Sequence, residues 1–147
     1  MLDGLFVTPV VDAIRDALKA SGVDGKLAVV GDAKLAMALA AGHEVVAVGI
    51  RDTKKLGELA TLAALDEAVP DASFAGVIAN DLATDPHWQT TVASWTRVVA
   101  DRGVIVTIDR GNAHEASRRA LCAGLTEIEQ RHAGRSVVTS GLVVRIW

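Results

Sequence analysis

Two short runs, Leu27-Ala28-Val29-Val30 and Glu44-Val45-Val46-Ala47-Val48, are apolar at every position except the leading glutamate. A strand with one wet face alternates polar and apolar side chains, whereas a run without alternation is buried on both faces. Between the two, Lys34-Leu35-Ala36-Met37-Ala38-Leu39-Ala40-Ala41 follows Gly31-Asp32 and stops at Gly42, which is the composition and punctuation of a helix. Strand, helix and strand in this order make a βαβ unit, whose right-handed crossover lays the strands parallel. The chain is thereby confined to the α/β class, with helices covering both faces of a sheet.

The alternation continues on either side. Thr8 with Pro9 reads as an N-cap and first helical residue, followed by Val11, Ile14, Ala17 and Leu18 at helical spacing and a close near Gly22. Residues 51–71 read as a truncated helix and then an edge strand at Leu59-Ala60-Thr61-Leu62. A turn at Val69-Pro70-Asp71-Ala72-Ser73 leads into a buried strand from Phe74 to Ala79, ending in Asn80-Asp81. Asp85-Pro86 repeats the cap-plus-proline signal, and Trp88, Val92, Trp95 and Val99 share one helical face. A turn at Asp101-Arg102-Gly103 enters Val104 to Ile108; a helix spans about His114 to Ala123 and stops at Gly124. Leu125 to His132 and Leu142 to Trp147 read as two strands joined by a Gly-containing loop, and so antiparallel. The expectation is a single domain over 1–147, with a leading helix in 1–24 and an α/β core over 25–147.

Composition removes several function classes. Hydrophobic residues make up 50% of the 147, but aromatics only 3% and Tyr none, so the core must be aliphatic and no stacking platform for single strands exists. Fifteen Lys and Arg against 18 Asp and Glu leave a formal charge of −3, without the positive footprint of general nucleic-acid binding. The single cysteine, Cys122, forms neither an intramolecular disulfide nor a cysteine zinc cage, which fits a reducing cytoplasm. Met1-Leu2-Asp3-Gly4-Leu5-Phe6 lacks a basic leader, and no stretch approaches the ~18 apolar residues of a membrane span. The chain is expected to be soluble, unexported and cytoplasmic, with no membrane partner.

Several local strings carry a resemblance. Ala41-Gly42-His43-Glu44-Val45-Val46-Ala47-Val48, Pro70-Asp71-Ala72-Ser73-Phe74-Ala75-Gly76-Val77-Ile78-Ala79 and Val98-Val99-Ala100-Asp101-Arg102-Gly103-Val104-Ile105-Val106 resemble the passages into the second, fourth and fifth strands of class I S-adenosylmethionine-dependent methyltransferases. Glu115 to Arg135, with Ala123-Gly124-Leu125-Thr126-Glu127-Ile128-Glu129-Gln130, is similar to the last helix and following strand of that family. The resemblance covers nearly the whole chain. It implies a Rossmann-like three-layer α/β/α sandwich, a mostly parallel sheet with an antiparallel C-terminal hairpin, and S-adenosylmethionine as cofactor.

It also locates where a cofactor would be held. In the family a Gly-rich loop follows the first strand; here Gly31-Asp32-Ala33-Lys34 is short and offers one glycine. The acid that accepts from the ribose hydroxyls is replaced by Gly49, with Asp52 the nearest substitute, and the acid after the third strand falls at Leu65 beside Asp66. The family's Phe-Asp before the fourth strand is Phe74-Ala75 here. The cofactor-binding candidates are therefore Gly31, Asp32, Asp52 and Asp66. Asn80 and Asp81 match the place where related enzymes contact substrate or cofactor, and are the catalytic candidates.

Strand ends in an open α/β sheet converge on one edge, so Asp32, Asp52, Asn80, Asp81 and Asp109 are candidates for one shared mouth. The plainer alternative is that such carboxylates cap helices, as the positions of Asp32 and Asp85 suggest. His43, His87, His114 and His132 have no mutual metal-ligand spacing, and no metal is expected. Cys122, beside Ala120, Leu121 and Ala123, is expected to fill core. Trp88 and Trp95 are expected to pack on the sheet, while the strand-end Trp147 is a candidate dimer contact.

Three readings stand at this point. In the first, a methyltransferase-like domain has lost normal S-adenosylmethionine binding, takes no cofactor, and serves as a scaffold, assembly or regulatory subunit with a protein partner or as a homo-oligomer. In the second it is an active small S-adenosylmethionine-dependent methyltransferase acting on a small molecule, because methyl transfer needs mainly proximity and alignment. In the third it binds NADP, with Arg51 facing the 2′-phosphate, although Gly31-Asp32-Ala33-Lys34-Leu35-Ala36 keeps only the first glycine of the dinucleotide fingerprint.

Overall fold

The uninterrupted apolar runs become the central strands of a seven-stranded sheet. The computed structural model describes residues 2–80, 82 and 85–144, with only the backbone described for 2–8, 53 and 55. Its elements are α1 (Leu2–Ala20), β1 (Leu27–Val30), α2 (Ala33–Ala40), β2 (Val45–Val48), a 3₁₀ turn (Thr53–Leu56), β3 (Ala60–Leu62), β4 (Phe74–Asn80), α3 (Trp88–Val98), β5 (Val99–Arg110), α4 (Ala113–Cys122), β6 (Thr126–Ala133) and β7 (Ser136–Leu142). The sheet order is β3-β2-β1-β4-β5-β7-β6. β1 to β5 pair in parallel, and β7 runs antiparallel to both β5 and β6.

The period of two along each strand divides the core into two layers. Leu27, Val29, Ile78, Val104 and Val106 face α1 and α2, where they meet Ile14, Leu18, Leu35 and Leu39. Ala28, Val77, Ala79 and Ile105 face the other way, toward Val92, Trp95 and Val98 of α3 and Ala120 of α4. Helices thus cover both faces, as strands without alternation require. The expected Rossmann-like sandwich with an antiparallel C-terminal hairpin is the fold observed.

Several boundaries differ from expectation. Pro9 does not open α1 but lies inside it; one lost N–H bond is outweighed by the stripe Val11, Ile14 and Leu18 packed on the sheet. The other end follows the sequence signal: Gly22 takes φ +66°, its N–H reaches the Lys19 carbonyl at 3.1 Å, and the Val23 N–H reaches Leu18 at 3.2 Å. That pair of bonds is a Schellman closure. Val99 is not the last residue of the helical face; it caps α3 and begins β5. Asp101-Arg102-Gly103 is no turn between elements but a bulge within β5, where the register with β4 jumps from Phe74↔Val99 to Gly76↔Val104. The final strand lies at Ser136–Leu142, not Leu142 to Trp147; residues 145–147, with Trp147, are outside the described residues. Thr139 and Ser140 disguised it, yet both are buried, and Thr139 Oγ1 accepts from Gln130 Nε2 at 3.1 Å. Cys122 is exposed rather than core, because it falls on the outer side of α4.

The connection from β3 to β4 has no helix. Arg97 on α3 holds it: Nη1 donates to the Val69 carbonyl at 2.8 Å and to Asp71 Oδ1, and Nη2 donates to the Asp66 carbonyl at 2.8 Å. Leu65 and Val69 fill the space under the loop. No helix of the described residues is long and apolar enough to cross a membrane.

Candidate functional site

Strand order reverses between β1 and β4, and open α/β sheets hold ligands beyond the strand ends at such a reversal. The pairing Val30↔Ala79 sets Gly31 beside Asn80 at this point. Gly31 turns the chain with φ +76° while its N–H donates to the Val48 carbonyl at 2.9 Å. Asp32 then caps α2, its Oδ1 accepting from the Leu35 N–H at 3.0 Å. The other oxygen, Oδ2, accepts from Asn80 Nδ2 at 3.1 Å. The structure therefore brings together Gly31, Asp32 and Asn80 of the expected site, and both oxygens of Asp32 are engaged within the protein.

The other candidates lie elsewhere or serve local turns. Gly49 follows β2 with φ +70° and presents no side chain to the crevice. Asp52 caps the 3₁₀ turn, Oδ1 accepting from Lys54 N–H at 3.3 Å, and Asp66 accepts from Ala68 N–H at 3.0 Å. Asp81 lies outside the described residues. Asp109 does not join the strand-end mouth; it is buried on the α4 side, paired to the buried Arg119 at 2.6 Å. Asp85 spans the turn before α3, with Oδ1 accepting from His87 N–H at 2.8 Å and Oδ2 from Thr91 Oγ1 at 2.7 Å, while the capping residue proper is His87. The Thr91 bond, and then the His87 backbone bond, hold the Asp85 carboxyl below the ordinary aspartate value. Among the described residues no group of three His, Cys, Asp or Glu side chains stands close enough to share a metal ion.

Beside the reversal point a cleft of about 270 Å³ opens between the ends of β1 and β2, the segment after β3, and α3. Val48, Gly49, Leu65, Thr91, Ser94 and Trp95 line it, and none of the described lining residues carries a charge. Trp95 packs on the sheet as expected and also walls this cleft. Sequence reasoning missed Thr91 and Ser94; the available signal was their spacing with Trp95, which puts all three on one helical face. The hydroxyl protons of both are already used, that of Thr91 on Asp85 and that of Ser94 on the Thr90 carbonyl at 3.2 Å. Among the described residues, the cleft lining offers apolar walls and two hydroxyls, and no ionisable side chain.

The sheet order and helix placement are those of the class I S-adenosylmethionine-dependent methyltransferase fold. A candidate methyltransferase from Haloferax volcanii, solved in complex with the Trm112 methyltransferase activator, is 13% identical, with 90% of this chain and 89% of that chain covered and a TM-score of 0.72. A candidate S-adenosylmethionine-dependent methyltransferase from Methanococcus maripaludis is 10% identical over 99% of this chain and 90% of that one, at a TM-score of 0.72. The 1,6-didemethyltoxoflavin-N1-methyltransferase of Burkholderia thailandensis, solved with its substrate and S-adenosylhomocysteine, is 15% identical over 87% and 75% of the two chains, at 0.71. No protein-family model and no curated protein matches the chain. The likeness is one of fold.

Proposed function

We propose that this methyltransferase-fold domain does not hold S-adenosylmethionine and works as a non-catalytic subunit, engaging a protein partner or a second copy of itself. The observation that carries the reading is the bridge from Asn80 to Asp32 across the strand-order reversal. With its other oxygen on the Leu35 N–H, each oxygen of Asp32 already accepts one bond from the protein at the place where a cofactor's polar atoms would come, which leaves it fewer lone pairs to offer. Gly49 supplies no side-chain acceptor for ribose hydroxyls, and Asp52 and Asp66 each spend one carboxylate oxygen on their own turns. A ribose placed here would meet no side-chain acceptor at Gly49 and would trade water for unpaired contacts, which is unfavourable. The residues present thus do not fit the cofactor of the fold's namesakes.

The partner side of the reading draws on the Haloferax volcanii neighbour, a fold relative solved in complex with an activator protein. The active-enzyme reading draws on the cleft at the strand ends and on the Burkholderia thailandensis neighbour, which holds S-adenosylhomocysteine. Calorimetric titration with S-adenosylmethionine, S-adenosylhomocysteine and, as control, NADPH separates them. The proposal expects no saturable heat with any of the three. Saturable micromolar binding of either of the first two overturns it in favour of an enzyme; saturation by NADPH alone overturns it in favour of a dinucleotide binder.

A further inference from the structure

We infer that two copies of this chain join through β6, edge to edge and antiparallel, into one continuous sheet. The inference rests on the second-copy branch of the proposed function and makes it specific.

The sheet ends in β3 on one side and β6 on the other. β3 has three residues, whereas β6 runs for eight, Thr126–Ala133, and pairs among the described residues with β7 alone. A register shift between Thr126 and Glu129 leaves the stretch from Glu129 to Ala133 regular. The two-residue turn Gly134-Arg135 closes on the pair Ala133↔Ser136, and the closing pair of such a turn exchanges hydrogen bonds. By alternation Glu129 and Arg131 bond to β7, while Gln130 and His132 turn their N–H and C=O groups outward. A row of outward groups is a template for another strand.

Side chains decide which strand, and in which register. A two-fold axis normal to the sheet sets one residue opposite its own copy, and side chains directly opposite share a face. Centred on Gln130, the axis places Glu129 of each copy opposite Arg131 of the other. Centred one residue away, on Glu129 or on Arg131, it brings identical charges together. Within one chain Arg131 Nη2 holds Glu129 Oε2 at 3.0 Å, and Nη1 has no acceptor among the described residues. The second copy brings a further carboxylate to that guanidinium. Charges ordinarily guard an edge strand, but this alternation of sign is complementary to itself. On α4, Ala113, Ser117 and Leu121 form one row, and the Ala113 carbonyl accepts from Gln130 Nε2 at 2.6 Å, so the row lies toward β6. Leu121, 63% exposed, adds an apolar group on that side.

The test is sedimentation equilibrium of the full chain over a range of micromolar concentrations. The wild type should show a monomer–dimer equilibrium. Glu129→Arg and Arg131→Glu each set two like-charge pairs across the axis and should weaken association about tenfold or more. Mixed in equal amounts, the two variants should associate as tightly as the wild type, because every charge then meets its opposite; a variant that failed to fold could not give this recovery. A wild type that stays monomeric overturns the inference and leaves the edge to a different partner. Dimerisation unchanged in either variant, or no recovery on mixing, overturns it as well. Titration of the wild type with S-adenosylhomocysteine reads the non-catalytic proposal separately: saturable binding removes that proposal, while the mixing result alone decides the edge.

Discussion

At the scale of single residues the decisive groups are carboxylates, and each is occupied with structural work. Asp32 caps α2 and receives Asn80, so Asp32→Ala should cost about 1 kcal/mol through the lost cap, measured by chemical denaturation. Asp109 and Arg119 form a buried pair at 2.6 Å. Arg119→Met removes one charge from a buried pair and should destabilise by about 3–5 kcal/mol, far more than Arg118→Met on the exposed Glu115 pair of the same helix. Asp85 titrates below the ordinary aspartate value of 3.8 because Thr91 and then the His87 N–H bond its charged form. A lowered folded pKa means that its contribution is complete above the unfolded value and is lost as pH falls through the folded one. NMR titration should place the Asp85 midpoint below 3.8, and Thr91→Val should move it upward. Asp32 as a cap was legible from its place after a strand and before an apolar helix. The Asn80 contact was not, because it joins residues 48 positions apart and depends on the register of β1 with β4.

At the scale of elements, legibility followed apolar continuity. β1 and β2 are fully apolar runs and β4 is free of polar side chains up to its last residue, Asn80, and their places were readable to within a residue or two. β7 was displaced in the reading because Thr139, Ser140 and Gly141 imitate a loop; in the fold the two polar side chains are buried. At Gly141 an added Cβ would stand 2.7 Å from Leu125 Cβ, so the glycine there serves close packing. The β5 bulge was read as a turn for the same reason. Gly103 is required there by contact: a Cβ would lie 2.4 Å from Val99 Cγ1 and 2.6 Å from the Ala75 carbonyl. Gly103→Ala should therefore destabilise by about 1–3 kcal/mol in thermal or denaturant unfolding, since backbone and not a flexible side chain must move. The helix-free crossover from β3 to β4 depends on Arg97, whose bonds reach three residues of the loop. Arg97→Ala should cost roughly 2 kcal/mol, the worth of charge-assisted bonds that are partly exposed, and should raise amide exchange over residues 66–71.

At the scale of the whole molecule, a doubly wound sheet with a reversal between β1 and β4 places a ligand-competent edge wherever its loops allow, and says nothing about which ligand. The fold was legible because it follows from strand burial, helix punctuation and the order of elements. The site was only partly legible: the missing acid at Gly49 can be seen in the sequence, whereas the uncharged cleft beside it depends on how α3 is laid over β1 and β2. The central proposal is that this edge does not hold S-adenosylmethionine, and unfolding equilibria read it without regard to binding mode or heat of binding. A ligand at a hundred times its dissociation constant adds about 2.7 kcal/mol to stability, which moves the transition of a chain this size by several degrees. Thermal unfolding of the full chain with and without millimolar S-adenosylhomocysteine should give superimposable curves. A rise of several degrees that saturates with concentration would contradict the account and return the chain to the active methyltransferases.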